Sequence, residues 1–122
     1  MDLLVLRHGE AGKRSPLPGD SKRTLTAEGR QEIIDLSNGL KSLEVKLDYI
    51  LTSPLLRAKN TAEIVAKSLK FKGKIDEVDA LKPEGNKLEF YTILSKLKQD
   101  SVVLVVGHEP YLSEMILSLI HI

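Results

Sequence analysis

The stretch Leu3-Leu4-Val5-Leu6-Arg7-His8-Gly9-Glu10 decides the fold. Four aliphatic residues in a row run straight into charge and a glycine, with no alternation. Such a run reads as a strand over residues 2 to 6, buried on both faces and ending at a polar rim. In open α/β sheets, ligands bind at the carboxyl ends of the strands. Arg7 and His8 project there, a fixed cation beside a titratable base or nucleophile. The rest of the chain is expected to bring a second arginine and a second histidine to meet them.

Outward from that strand, Glu10 to Leu25 shows no periodicity. Gly12, Pro16, Pro18, Gly19, Asp20 and Ser21 mark it as a loop, long enough to suggest a functional one. Of its basic residues, Lys13, Arg14 and Lys22 read as solvated, and Arg23 is a candidate substrate contact. Thr26 is placed to cap a helix from Ala27 to about Leu43, with Glu28 in its first turn. Ile33, Leu36, Leu40 and Leu43 recur at helical spacing as its expected inner stripe. Gly29 is costly in a helix and implies close backbone packing. Tyr49 to Thr52 reads as a second strand. Ser53-Pro54 then has the form of a helix start, serine as cap and proline at the first helical position. That helix runs to about Leu69, with Leu55, Ala58, Ala62, Val65 and Leu69 facing inward and Arg57 in its first turn.

Ile75 to Val78 is a weaker strand, expected near the sheet edge, and Leu81 to Asn86 is turn-rich. Asn86 and Glu89 have capping-box spacing ahead of a stripe of Leu88, Tyr91, Leu94 and Leu97. Val102 to Val106 is the clearest strand, five aliphatics in sequence, suited to a central parallel position. It ends in Gly107-His108-Glu109-Pro110. Pro110 suits the first position of a last helix bearing Leu112, Met115, Ile116, Leu119 and Ile120. The order β-α-β-α-β-α-β-α implies an α/β fold with a mostly parallel sheet.

The 122 residues suit one domain, and 42% hydrophobic with 29% charged residues is ordinary for a globular protein. A net charge of +1 gives no global pull toward nucleic acid or a membrane surface. The absence of cysteine excludes disulfides and thiolate metal sites. The apolar start is short and lacks a basic leader, and no run approaches a membrane span, so a cytoplasmic protein is expected.

Strands one and four thus each end in a histidine beside a glycine, and Arg57 begins the helix after strand two. Two arginines and two imidazoles on one rim form a cationic pocket that suits a phosphoryl group. Arginine offers planar, bidentate donors that stay charged. Helix starts at Pro54 and Pro110 are expected to add backbone N–H groups. A neutral imidazole can attack phosphorus in line, and the cations offset charge on the equatorial oxygens. Nothing in this chemistry demands a metal or other cofactor.

Arg7-His8-Gly9-Glu10, Ser53-Pro54-Leu55-Leu56-Arg57-Ala58 and Gly107-His108-Glu109-Pro110 together resemble the histidine phosphatase superfamily. The short chain, Leu25-Thr26-Ala27-Glu28-Gly29 and the Leu81-Lys82-Pro83-Glu84-Gly85 turn are most similar to its SixA-type phosphohistidine phosphatases. The resemblance spans essentially the whole chain. It implies a three-layer α/β/α sandwich of the phosphoglycerate mutase-like kind, without a metal. His8 is then transiently phosphorylated, and Arg7, Arg57 and His108 hold the phosphoryl group. Gly9 is the side-chain-free position beside the phosphate that lets the chain turn tightly.

Two departures from the family pattern matter. Larger members carry an acidic proton donor on an insertion after the third strand; here Glu84 is the nearest carboxylate in sequence and becomes the candidate contact. The P–N bond of phosphohistidine is labile, which lessens the need for such an acid. SixA-type proteins also continue past the last helix into further strand structure. Residues 1–122 are therefore expected to be a single domain lacking its C-terminal strand or strands.

Taken alone, His8 reads as a structural histidine, His108 as a helix-capping one and Arg57 as a surface arginine; their shared rim reverses this. Glu10 and Glu109 flank the histidines, but their spacing matches no metal-ligand set and the arginines repel a cation. The expected partner is a phosphohistidine-bearing protein or a small phosphorylated substrate. Three functions compete: a phosphohistidine phosphatase, a phosphatase for a small phosphorylated metabolite, and a non-catalytic phosphoryl-binding module. Short loops favour the first, and the paired histidines argue against the last. Tyr111 is a further candidate for shaping specificity.

Overall fold

The computed structural model describes residues 1–12 and 23–120. The expectations for Lys13, Arg14, Lys22 and the turn residues Pro16 to Ser21 lie outside them, as do the side-chain packing of Leu119 and Ile120. Among these residues eight strands and α-helices alternate: β1 (Asp2–Arg7), α1 (Ala27–Ser42), β2 (Tyr49–Thr52), α2 (Leu56–Ser68), β3 (Ile75–Glu77), α3 (Lys87–Ser95), β4 (Val102–Gly107) and α4 (Tyr111–Ile120). A 3₁₀ turn, Asp79–Leu81, follows β3. The sheet order is β1-β4-β2-β3 and all three pairings are parallel.

β4 lies between β1 and β2, where a strand must be apolar on both faces. Val103 and Val105 join Leu51, Phe90, Leu94, Leu112 and Met115 in one core cluster. Leu104 and Val106 join Ile33, Ile50, Ala58, Ala62 and Val65 in the other. Helices α3 and α4 thus cover one face and α1 and α2 the other, giving the expected three layers. β3, with its exposed Asp76 and Glu77, is an edge strand as expected. Among the described residues no helix is long and apolar enough to cross a membrane.

The inner face of α1 differs from the expected stripe. Gly29, Ile33 and Ser37 face inward at a spacing of four, while Leu36 is exposed and Leu43 is 76% exposed. The reason is Gly29: a Cβ there would lie 2.2 Å from the Glu10 carbonyl oxygen, so the helix can approach the end of β1 only on that face. The buried Ser37 hydroxyl is satisfied within the helix, donating to Ile33 O at 2.7 Å. Thr26 caps α1 as expected, accepting from Gly29 N at 3.0 Å. In α3 the fully buried residue is Phe90, one turn before Leu94, and Leu88 is 75% exposed. Asn86 caps this helix, accepting from Glu89 N at 3.0 Å.

The expected start of α2 is also corrected. Its N-cap position is Leu55, with no side-chain cap, and the helix begins at Leu56. Ser53 and Pro54 form a linker instead, in which Ser53 Oγ accepts from Leu55 N at 3.3 Å. The long loop after β1 closes at its stem. Ala11 pairs antiparallel with Leu25, Gly12 N donates to Thr24 O at 3.1 Å, and Thr26 N donates to Glu10 O at 2.9 Å.

Candidate active site

Strand register brings the site together. Leu6, Val106 and Thr52 form one row across β1, β4 and β2. Ladder bonds continue one residue further: His8 N donates to Gly107 O at 3.1 Å and Ser53 N to Val106 O at 3.0 Å. Backbone hydrogen bonds thereby fix the chain beyond the end of each strand. His8 and His108 stand in adjacent chains at the same level, their rings edge-to-face with centroids 5.1 Å apart and planes at 60°.

His8 is half-buried and its tautomer follows from its partners. Nδ1 lies 2.7 Å from Gly9 O, and a carbonyl oxygen only accepts, so the proton sits on Nδ1. Nε2 keeps its lone pair and receives the Nε–H of Arg57 at 3.3 Å. Burial pushes the His8 pKa below its ordinary value of 6.5, against the opposite pull of the Gly9 carbonyl. The charges of Arg57, Arg7 and Arg23 lower it further. Both effects favour the neutral imidazole, with its lone pair on Nε2.

Arg57 is only 5% exposed, in the first turn of α2. Thr61, fully buried one turn later, donates to Arg57 O at 2.8 Å and accepts from Gly9 N at 3.1 Å. One hydroxyl therefore ties the turn after His8 to the helix bearing Arg57. Gly9 sits against α1: a Cβ there would meet the Gly29 carbonyl oxygen at 2.9 Å and Ile33 Cγ1 at 3.0 Å. The space at Gly9 is taken by the helix, which adds a packing reason to the expected one.

His108 is 3% exposed, and its Nε2 lies 2.7 Å from the buried Ser53 Oγ. Arg7 is exposed at the mouth. Arg7, His8, Arg57 and His108 all line one open cleft of about 700 Å3, together with Gly9, Glu10 and Arg23. Arg23 Nη1 donates to Gly12 O at 2.6 Å across the stem of the loop. Glu84 is exposed and does not belong to this lining; its neighbour Pro83 does. Tyr111 is buried in the core on the α3/α4 face, with its hydroxyl unpaired among the described residues and its pKa pushed up by burial to about 12. It lies outside the cleft lining.

The expected contribution of the α4 N-terminus is also revised. Leu112 N donates to His108 O at 3.0 Å and Ser113 N to Glu109 Oε1 at 2.9 Å, so these donors are taken up locally. Glu109 also accepts from the Ser113 hydroxyl, which commits its carboxylate to capping. Among the described residues no group of three or more acidic or histidine side chains is arranged to hold a metal ion. Sequence reasoning missed Ser53 and Thr61 as parts of the site, and Glu32 and Leu36 as lining residues. Thr61 had a legible signal: it stands four residues after Arg57, where a hydroxyl can reach back along the helix.

This is a parallel α/β sandwich whose strand ends gather two arginines and two histidines around one open cleft. The chain belongs to the histidine phosphatase superfamily (branch 1), whose family model matches residues 3–90. It is 34% identical over 116 residues to an uncharacterized protein of Picosynechococcus, covering 93% of this chain and 70% of that one. It is 31% identical over 121 residues to the phosphohistidine phosphatase SixA of Escherichia coli, covering 98% and 74% of the two chains. It superposes on the structure of the protein histidine phosphatase SixA complexed with tungstate with a TM-score of 0.86 at 30% identity. That match covers 95% of this chain and 74% of the other.

Proposed function

We propose that this chain is a phosphatase that works through a phosphohistidine intermediate on His8, and that it removes phosphate from phosphohistidine on a signalling or phosphotransfer protein. The observation that carries the reading is the state of His8: Nδ1–H held by Gly9 O, Nε2 unprotonated beside Arg57. An imidazole in that state is a nucleophile at neutral pH. The Nε2 lone pair forms a bond to phosphorus as the substrate's P–N bond breaks, and the leaving imidazole takes a proton from solvent. Water then attacks the phosphoryl group, the Nε2–P bond breaks and orthophosphate leaves. Arg7, Arg57 and His108 offset the charge on the equatorial oxygens, strongest in the transition state.

Similarity to the Escherichia coli phosphohistidine phosphatase and to a relative complexed with tungstate, a tetrahedral oxyanion, supports the same chemistry. The open cleft favours a side chain offered by a protein over an enclosed small molecule. Arg7, Arg23 and Arg57 around it disfavour a metal cation. The test is a comparison of a phosphohistidine carrier protein with a panel of phosphate monoesters, each with and without a chelator. Carrier turnover unaffected by chelation is the expected result. Turnover of monoesters alone points to a small phosphorylated metabolite, binding without turnover to a phosphoryl-binding module, and loss on chelation contradicts the metal-free mechanism.

A further inference from the structure

We propose that the exposed shoulder of α1 that runs out of the cleft, Leu36 and Leu43 with Glu28, Glu32 and Asp35, is the docking surface for the protein that carries the phosphohistidine. Its occupant is an apolar patch of that protein, flanked by lysine or arginine beside the histidine. That the partner carries phosphohistidine rests on the reading above; the place of the surface does not. The buried face of α1 is marked by Gly29, Ile33 and Ser37. Leu36, Leu40 and Leu43 follow at steps of four and three, so they form one row along the helix beside that face. Leu40 is half-buried and packs on the core, whereas Leu36 is 41% exposed and Leu43 more so. Seven residues of helix separate these two, about 10 Å. An exposed apolar row rimmed by charge marks a contact site for another molecule.

Two observations select the occupant. The first is continuity with the cleft. Glu32, Ile33 and Leu36 line it from α1, in the same opening as Arg7, His8 and Arg57. A protein that delivers a side chain to His8 brings the surface around that side chain against Leu36. The row to Leu43 extends the contact beyond the reach of a small molecule. The second is charge. Glu28, Glu32 and Leu36 step along the helix at intervals of four, and Asp35 lies next to this row. All three carboxylates are exposed, and the basic residues Arg30 and Lys41 fall on the other side of the buried face. The cationic part of the cleft thus adjoins an acidic flank. A phosphoryl group is drawn to the first, and basic residues beside it are drawn to the second. A small polyanion is attracted by the first and repelled by the second, so the pattern selects partner and register.

The test compares a histidine-phosphorylated carrier protein, with basic residues beside its phosphohistidine, against free phosphohistidine. Both are given to the natural chain and to Leu43→Gln and Asp35→Lys. Both positions are exposed and neither lines the cleft, so the fold and the turnover of free phosphohistidine are expected to be unchanged. For the carrier, KM is expected to rise about 10-fold in each variant with kcat little changed, the loss of one contact residue. Leu43→Met keeps the natural KM. An unchanged carrier KM in both variants overturns the proposal, as does an equal loss on free phosphohistidine, which places the effect in the cleft. If Leu43→Gln dissolves a dimer of this chain and leaves carrier kinetics intact, a second copy covers the surface and the proposal is overturned. If the carrier and free phosphohistidine are bound but not turned over, the proposed function falls instead. Weaker carrier binding in the two variants then still supports the surface, and unchanged binding overturns it.

Discussion

The Nε–H of Arg57 donates to Nε2 of His8 across 3.3 Å, so a cation of the cleft rests on the nitrogen proposed to attack phosphorus. This contact holds the lone pair and disfavours its protonation. It also places a guanidinium where the phosphoryl oxygens will lie. Lysine can supply the charge but neither the planar fork nor the short reach from a buried first turn. Arg57→Lys is therefore expected to lower kcat/KM by about 10²–10³-fold, the loss typical of one transition-state donor. Steady-state kinetics on a phosphohistidine carrier measures it; a loss of under about threefold contradicts the assignment.

The pH dependence has a definite sign. His8 titrates near 6.5 when unperturbed and below that in the folded protein, mainly through burial. Between those two values the unfolded chain binds a proton that the folded chain refuses. The associated stability is therefore present above pH 6.5 and is lost as pH falls toward the folded pKa. Free-base His8 persists over the same window, so with His8 as the proposed nucleophile the acidic limb of kcat/KM is expected below pH 6.5. Arg7→Gln removes one of the charges that lower this pKa and should shift it upward. NMR titration of the His8 ring reads both changes, and a His8 midpoint above 6.5 in the natural protein contradicts the account.

Thr61 joins two pieces of the site, through Gly9 N and Arg57 O. Thr61→Val keeps the shape and strands a buried Gly9 N–H, which costs about 1–3 kcal/mol. A fall in Tm of several degrees should accompany a larger proportional loss of kcat, because the His8 turn and the Arg57 helix lose their common tie. Thermal melts and kinetics on the same sample separate the two effects. A lowered Tm with kcat intact would reduce Thr61 to a packing role.

Gly29 and Gly39 lie on the same helix and predict opposite outcomes. A Cβ at Gly29 would collide with the Glu10 backbone, at 2.2 Å from its carbonyl oxygen, whereas one at Gly39 meets nothing within 4 Å. Gly29→Ala is expected to destabilise by about 1–3 kcal/mol, typical of overpacking. Because Glu10 lies two residues from His8, the proposed nucleophile, it should also lower activity. Gly39→Ala is expected to stabilise by about 0.4–1 kcal/mol, by restricting the unfolded chain and favouring helix. Denaturant melts of the two variants check both signs.

The elements that sequence made legible are those decided by local pattern. Leu3 to Leu6 and Val102 to Val106 are aliphatic without alternation, and both are strands of a parallel sheet; β4 is buried at its centre as expected, whereas β1 lies at the edge of the described sheet and is only half-buried. His8, Arg57 and His108 were placed because each stands next to the end of a strand or the start of a helix, where direction is fixed. What was illegible depended on rotation and on contacts between elements. Leu36 and Leu43 share helical spacing with Ile33, yet the Gly29–Glu10 contact turns them outward. Leu88 is likewise exposed, while Phe90 fills the core. Ser53 carries the local signature of a helix cap, but its hydroxyl is engaged by His108, 55 residues away in sequence. Glu84 is the nearest carboxylate in sequence, but the turn presents Pro83 to the cleft instead.

The most direct test of the central claim is to trap the enzyme with a ³²P-labelled phosphohistidine carrier, quench within the first turnover and map the label. The account predicts an acid-labile, alkali-stable phosphoryl group on His8, absent from a His8→Asn variant that still folds. Label on any other residue, label that persists in His8→Asn, or full turnover by that variant would contradict it.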